Sequence, residues 1–407
     1  MAKLLQEYQI GHTFGIATAE YHERRARIIA QLEKNGQKGI VFFRALSIFW
    51  LSGFGFIPTE RPVAFVLKTD GSTALLVPRL EVEHGQSHAY VDRIESYPEY
   101  PTTTHPMLYL QKLLGEMGLA NSGLAADGDG YGAYWGYRGP KLSEVCAEAT
   151  VSLYPRLIEE MRFTKSRAEI ELIKESCKWG NLAHMLLQKY SRDGASEIDV
   201  STRASSEATN AMLLTLGPTF KPGGMGRVGA SAGFRGQIGK NSYFPHAVTL
   251  NATMRKGDVL VTGAGANVCG YVSELERTMF VGEPSAEQTK YFELMCQAQE
   301  VAFDTIKPGV PTATVDREVR RFFEENQLMP YWRHHVGHAI GMEGHEAPFF
   351  DIGDETILEP GMVWTVEPGI YVEGLGGFRH SDTVLITENG MEFLTYYPRH
   401  LEAMICG

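Results

Sequence analysis

Near residue 160 the chain changes texture, and a single repeating architecture cannot account for both sides of that change. Before it, short apolar runs bounded by Gly, Pro or Asp alternate with helical patterns. The runs at 39–43, 61–67 and 73–77 read as strands. Residues 21–35 carry an apolar stripe of Ile28, Ile29 and Leu32 amid Arg and Glu, which predicts a helix, and 107–117 predicts another. The first 20 or so residues read as an arm. Alternation of this kind predicts an α/β domain. After the change, Ser166 stands three residues before Glu169, the spacing of a capping box, and opens a long helical pattern over 168–190. The boundary is therefore expected within 155–165, with one domain over 1–160 and a second over 161–407. A chain of 407 residues has room for both cores.

The second half mixes helices with strands. Glycine is dense from 216 to 239, and Gly224-Met225-Gly226-Arg227-Val228-Gly229 formally spells G-x-G-x-x-G. No clear strand precedes it and no helix opens after it, so it reads as a loop and not as a dinucleotide cradle. Strands are expected at 258–261, 272–280, 363–366 and 383–386, and helices at 288–306 and 315–326. In the 272–280 strand, period 2 puts Glu274, Glu276 and Thr278 on one face. The fold class expected is α/β (α+β).

The formal charge of −11, with no Lys/Arg cluster against it, argues against a nucleic-acid partner. The five cysteines are scattered, with no C-x-x-C pair, which predicts reduced thiols and a cytoplasmic protein. No apolar h-region opens the chain and no run of roughly 18 apolar residues occurs. A membrane partner is not expected.

Taken alone, the candidate residues are ambiguous. Glu274 and Glu276 lie in an otherwise apolar segment, where carboxylates need partners; an ion pair with Arg277 or another nearby arginine accounts for one as readily as a site does. His338 and His345 are seven apart in a glycine-rich string, which predicts a loop or irregular strand. Each histidine by itself is more simply structural.

In order, the strings are more telling. Val336-Gly337-His338 through Gly344-His345-Glu346, then Thr365-Val366-Glu367-Pro368-Gly369, then Arg379-His380-Ser381-Asp382 resemble the creatinase / aminopeptidase P / prolidase family, the pita-bread hydrolases. The resemblance implies an N-terminal creatinase-like α/β domain followed by a pita-bread catalytic domain. Metal-dependent members hold two divalent ions with Asp, Asp, His, Glu and Glu. The matching positions here are Gly263, Glu274, His338, Glu367 and Ser381. Glycine and serine supply no carboxylate, so a two-metal cluster is not expected.

The segment from His246, in Phe244-Pro245-His246-Ala247, to Glu276-Arg277-Thr278 looks most like the creatinase branch, which uses no metal. That likeness implies a metal-independent hydrolase of a C–N bond in a small nitrogen-rich substrate, with no cofactor. His246 would act as general acid/base, Glu276 and Glu367 would hold a cationic group, and His338 would be a polarising donor. Phe56, Glu60, Arg61, Tyr271, Glu274 and Arg379 would line the substrate, and a homodimer would send the Arg61 loop into the partner's site. Three departures stand out, Val272 for tyrosine, Phe349 for arginine and Glu60 for glycine, and a clamp that lacks one arginine and gains a glutamate makes creatine itself a poor candidate. His345-Glu346-Ala347-Pro348 instead resembles the peptidase branch, in which that histidine shuttles protons. Two alternatives stay open: an Xaa-Pro dipeptidase-like enzyme with one metal at Glu274, His338 and Glu367, and a peptide-binding protein of the same fold without catalysis.

Overall fold

The computed structural model describes residues 14–132, 134–217 and 228–407. The proposed N-terminal arm falls largely outside these residues, as does most of the G-x-G-x-x-G string. Among the described residues the chain divides into two compact units, one over Ile16–Met161 and one from Arg162 onward.

The first unit is built on a six-stranded mixed sheet: β1 (Gly39–Phe42), β2 (Ala64–Lys68), β3 (Thr73–Pro78), β4 (Arg93–Tyr97), β5 (Gly123–Ala126) and β6 (Thr150–Leu153). The spatial order is β4-β3-β2-β1-β5-β6, antiparallel at β1/β2 and β2/β3 and parallel elsewhere. β1 and β3 are buried along their whole length, which is why they read as continuous apolar runs and not as alternating ones. Helices Thr18–Lys34 and Pro106–Glu116 match the predicted ones to within three residues. The second predicted run begins later than expected, because Pro62 and Val63 precede the ladder.

The second unit opens with helix Arg167–Tyr190. Ser166 accepts from the Glu169 N–H and Glu169 accepts in return from the Ser166 N–H, the predicted capping box. This helix and Glu197–Leu216 pack on β7 (Gly229–Gly233), with the first also on β9 (Gly263–Val268). β8 (Val259–Val261) lies between these strands in the chain; β10 (Tyr271–Val272) pairs with β9, and β11 (Thr278–Val281) pairs with β8. Helices Ala286–Thr305 and Thr312–Glu325 pack together. The rest is β12 (Gly337–Ala339), β13 (Glu346–Phe350), β14 (Val363–Val366), β15 (Gly369–Val372), β16 (Gly376–Arg379), β17 (Asp382–Thr387) and β18 (Gly390–Phe393). In the antiparallel sheet β13-β12-β14-β17-β18, β12 carries His338, His345 stands just before β13 and Glu367 just after β14.

One predicted strand needs correction. Residues 272–280 do not form a continuous strand: β10 ends at Val272 and β11 begins at Thr278. Between them Leu275 bridges Ala264 while Glu276 bridges Ser381, so the segment crosses from one set of partners to another. Period-2 reasoning assumes one ladder, and here there are two.

Candidate active site

The site begins with a close approach of two strands. A Cβ on Gly337 would lie 2.1 Å from the Thr365 carbonyl oxygen, so only glycine lets β12 lie this close to β14. Beside it the His338 N–H donates to Thr365 Oγ1 at 3.1 Å, and a register shift follows between His338 and Ala339. The His338 ring is fully buried, and its Nδ1 lies 3.0 Å from the Ala339 carbonyl, which can only accept. Nδ1 therefore carries the proton, and Nε2 is left for the site. That Nε2 stands 3.1 Å from Glu367 Oε1, an ion-pair distance, yet it makes no well-formed hydrogen bond. Glu367 follows β14 directly, and its N–H donates to the Val336 carbonyl at 2.7 Å.

Three carboxylates converge here: oxygens of Glu274, Glu276 and Glu367 lie within 4.8 Å of one another. Glu274 accepts from the Ser381 hydroxyl at 2.8 Å. Glu276 accepts from Arg235 Nη2 at 2.6 Å on one oxygen and from Arg379 Nε on the other. Arg277 is not its partner. That guanidinium is fully buried, pairs with Asp382 at 2.8 Å and donates to the Glu276 and Ser381 carbonyls.

The electrostatics follow from crowding. Burial and the neighbouring Glu367 and Glu276 push the Glu274 carboxyl up to about 8. Burial opposes the charged form of His338, but Glu367 and Glu274 outweigh it and raise the imidazole to about 9. Burial likewise opposes ionisation of Glu367, yet the His338 and Arg379 charges hold it far below the usual carboxylate range. Near neutral pH the metal-free site is thus a Glu367 carboxylate facing an imidazolium, with Glu274 protonated.

His345 stacks on His338, with ring centroids 3.8 Å apart and planes 22° apart, and the residue is exposed. Its turn is fixed from below. Buried Glu346 accepts from the Met342 N–H (2.8 Å) and Glu343 N–H (3.0 Å), and pairs with buried Arg162 and with Lys165 at 3.3 Å. His246 is exposed, and its positive form lies near enough to His345 to disfavour a second charge there. The carbonyl of Pro245, just before it, accepts from Arg379 Nη1 at 3.3 Å.

The expected substrate-lining residues divide. Arg379 is buried and braces the site: it holds Glu276, and its Nη1 donates to the Tyr371 hydroxyl at 2.9 Å. Tyr371 then donates to His334 Nε2 at 2.8 Å, whose Nδ1 is tied to the His335 carbonyl. Burial lowers His334 to about 4, so it is neutral and able to accept. Tyr271 requires correction as a substrate contact, because its buried hydroxyl donates to Glu169 Oε1 at 2.7 Å. In the first unit, Phe56 is buried and stacked on Phe54 at 5.4 Å. Arg61 is held by Glu60 at 2.5 Å and Glu99 at 2.6 Å.

Arg235, Tyr371, His334 and the Arg162–Lys165–Glu346 cluster are site residues that the sequence reading misses. Arg162 and Lys165 stand out in the sequence as charges flanking the capping box. Arg235 has no such signal, being one arginine in a glycine-dense stretch.

The donors suit one divalent ion and not two. Ligand atoms of Glu274, His338 and His345 fall within 4.8 Å of one another, as do those of Glu274, Glu276 and Glu367, and Glu274 is common to both groups. The fit rests on His338 Nε2, which faces Glu367 Oε1 at 3.1 Å without a well-aligned hydrogen bond, and on the carboxylates gathered around it. A second ion finds no carboxylate at Gly263 or Ser381, and both Glu276 oxygens are already bonded.

Comparison with known proteins agrees with this architecture. The family described as Metallopeptidase family M24 matches residues 171–388, and the Creatinase/Prolidase N-terminal domain matches 24–164. An Xaa-Pro dipeptidase of Pyrococcus horikoshii is 29% identical over 385 residues, 93% of this chain and 99% of that protein. The uncharacterized peptidase YqhT of Bacillus subtilis is 31% identical over 284 residues, 70% of this chain and 75% of that protein. A solved prolidase of Thermococcus sibiricus superposes with a TM-score of 0.79 at 25% identity, covering 96% of this chain and 100% of that one. These relatives correct the leading expectation from sequence: they are named as an Xaa-Pro dipeptidase, a prolidase and a peptidase, and the creatinase-like, metal-independent reading is overturned. With its N-terminal creatinase/prolidase domain and pita-bread catalytic domain, the chain belongs to metallopeptidase family M24.

Proposed function

We propose that this protein is an Xaa-Pro dipeptidase-like peptidase whose site takes a single divalent ion. The observation that carries the reading is the buried His338 Nε2, 3.1 Å from Glu367 Oε1 and close to the Glu274 carboxyl. These three side chains would hold the ion, with His345 at the open side. A bound divalent ion polarises a carbonyl oxygen and makes water a better nucleophile at neutral pH. The chain's own residues do the rest. His345 is an exposed residue whose ring packs on His338; partial desolvation there and the His338 charge disfavour its cation, and it is placed to take a proton and return it to the leaving nitrogen. His246 is exposed and close enough to His345 for its charge to be felt there. Arg379 holds Glu276 in place, and Arg162 and Lys165 fix the His345 turn through Glu346.

The supporting experiment is hydrolysis of an Xaa-Pro dipeptide, assayed after chelation and after re-addition of Mn²⁺, Co²⁺ or Zn²⁺. Activity lost on chelation and restored by one of these ions is the expected result; inertness with all three contradicts it. The same reading includes a homodimer in which Arg61 and its neighbours serve the other subunit, and work in the cytoplasm, consistent with five free cysteines. No described helix is long and apolar enough to cross a membrane.

A further inference from the structure

Three carboxyl groups within 4.8 Å of one another repel as they ionise unless protons or cations sit among them. On the Glu276 side the chain supplies those cations itself. Arg235 Nη2 bonds one Glu276 oxygen at 2.6 Å and Arg379 bonds the other, with Arg379 Nε also 3.8 Å from Glu367 Oε2. Gly263 faces the same carboxylate: a Cβ there would lie in ordinary contact with Glu276 Oε1, at 3.4 Å. Ser381, the other position without a carboxylate, adds a donor to Glu274 where an acid would add charge.

Arg235 is built into this role. It is a non-glycine residue at φ +51°, a conformation that costs energy and needs support from its surroundings. The support is visible on both sides: Phe234 is buried, the Gln237 N–H donates to the Phe234 carbonyl at 2.8 Å, and the Gly236 N–H donates to Glu197 Oε1 at 2.6 Å. The turn therefore aims a half-exposed guanidinium at a buried carboxylate.

We propose that Arg235 takes the place of a second metal ion, balancing the Glu274–Glu276–Glu367 charge from within the chain and closing that side to divalent cations. The inference rests on the single-ion reading above and explains why one ion suffices. Guanidinium suits this role because it is always charged, and its planar donors match carboxylate oxygens much as a small ion would.

The test is Mn²⁺ binding measured by equilibrium dialysis and elemental mass spectrometry, on the wild type, Arg235→Ala, Arg235→Lys and the double variant Arg235→Ala/Glu276→Gln. Arg235→Ala should bind up to about one ion per chain more than the wild type, because the freed Glu276 oxygen, beside Glu274 and Glu367 carboxylates that two ions can share, is enough for a weak Mn²⁺ site. Arg235→Lys keeps a cation and should match the wild type, and the double variant should lose the gain. Circular dichroism checks that each variant is folded; should Arg235→Ala fail to fold, Arg235→Met, which keeps the apolar stem, takes its place. Equal ion counts in wild type and Arg235→Ala, or a gain that survives loss of the Glu276 carboxylate, would overturn the proposal. The wild-type count answers a separate question: zero ions there removes the peptidase reading, while the difference between the chains still decides the role of Arg235.

Discussion

His338 Nε2 stands 3.1 Å from Glu367 Oε1, at the meeting of β12 and β14, with Nδ1 of the same ring held by the Ala339 carbonyl. Without a metal this is a buried ion pair. Both residues would serve as ligands to the proposed ion, and the pair's charge state would then have to change.

Glu367→Gln removes one partner of this pair and should leave the His338 charge buried and uncompensated. Breaking a buried pair in this way costs about 3–5 kcal/mol, so unfolding in urea should move to lower concentration. Metal affinity should fall by more than about 100-fold, beyond what loss of an outer-shell partner causes. Titration calorimetry with Mn²⁺ reads the second effect.

Metal binding should tighten as pH rises. An ion needs His338 neutral and Glu274 ionised, but the metal-free site holds a proton on each, up to about 9 and about 8. Protons therefore compete with the ion below those values and stop competing above them. The logarithm of the affinity should climb by about two units per pH unit below pH 8, then flatten above pH 9. A flat profile from pH 6 to 8 would contradict these charge states.

Glu346→Gln should lower kcat more than it raises KM. Glu346 touches no reacting group, but it caps the Met342 and Glu343 N–H groups beneath His345 and neutralises buried Arg162 and Lys165. The amide keeps acceptor capacity and loses the charge, so destabilisation of about 3–5 kcal/mol is expected. If kcat stays at the wild-type value while stability falls, the cluster is a brace for the fold and not for His345.

Mixing Arg61→Ala chains with His246→Ala chains should restore part of the activity if subunits share sites, since each mixed dimer would then hold one site free of both changes. No recovery in verified mixed dimers would count against sharing. Within its own subunit Arg61 is engaged by Glu60 and Glu99, so its reach into a partner would require those bonds to open.

Much of this is legible in the sequence. The capping box at Ser166 and Glu169 marks the start of the second unit's first helix, because two reciprocal bonds three residues apart leave a fixed spacing. The order of His338, Glu367 and Arg379 points to the family, and Gly263 and Ser381 to a disrupted two-metal set. What the sequence hides, it hides for physical reasons. The 272–280 segment reads as one strand because periodicity cannot see a change of partners at Leu275 and Glu276. Tyr271 looks available, yet its hydroxyl is bonded to Glu169, 102 residues earlier in the chain. The missing carboxylates suggest loss of all metal chemistry, whereas His338, Glu367 and Glu274 still offer donors for one ion. Arg235 is invisible, since its role depends on a turn that only the folded chain forms.

The most direct test of single-ion peptidase chemistry is the metal content of the purified protein, by elemental mass spectrometry after chelation and Mn²⁺ re-addition, run beside cleavage of an Xaa-Pro dipeptide. About one tightly bound ion per chain is predicted, with cleavage that rises and falls with occupancy. A chain that rebinds no ion and cleaves no Xaa-Pro dipeptide would contradict it.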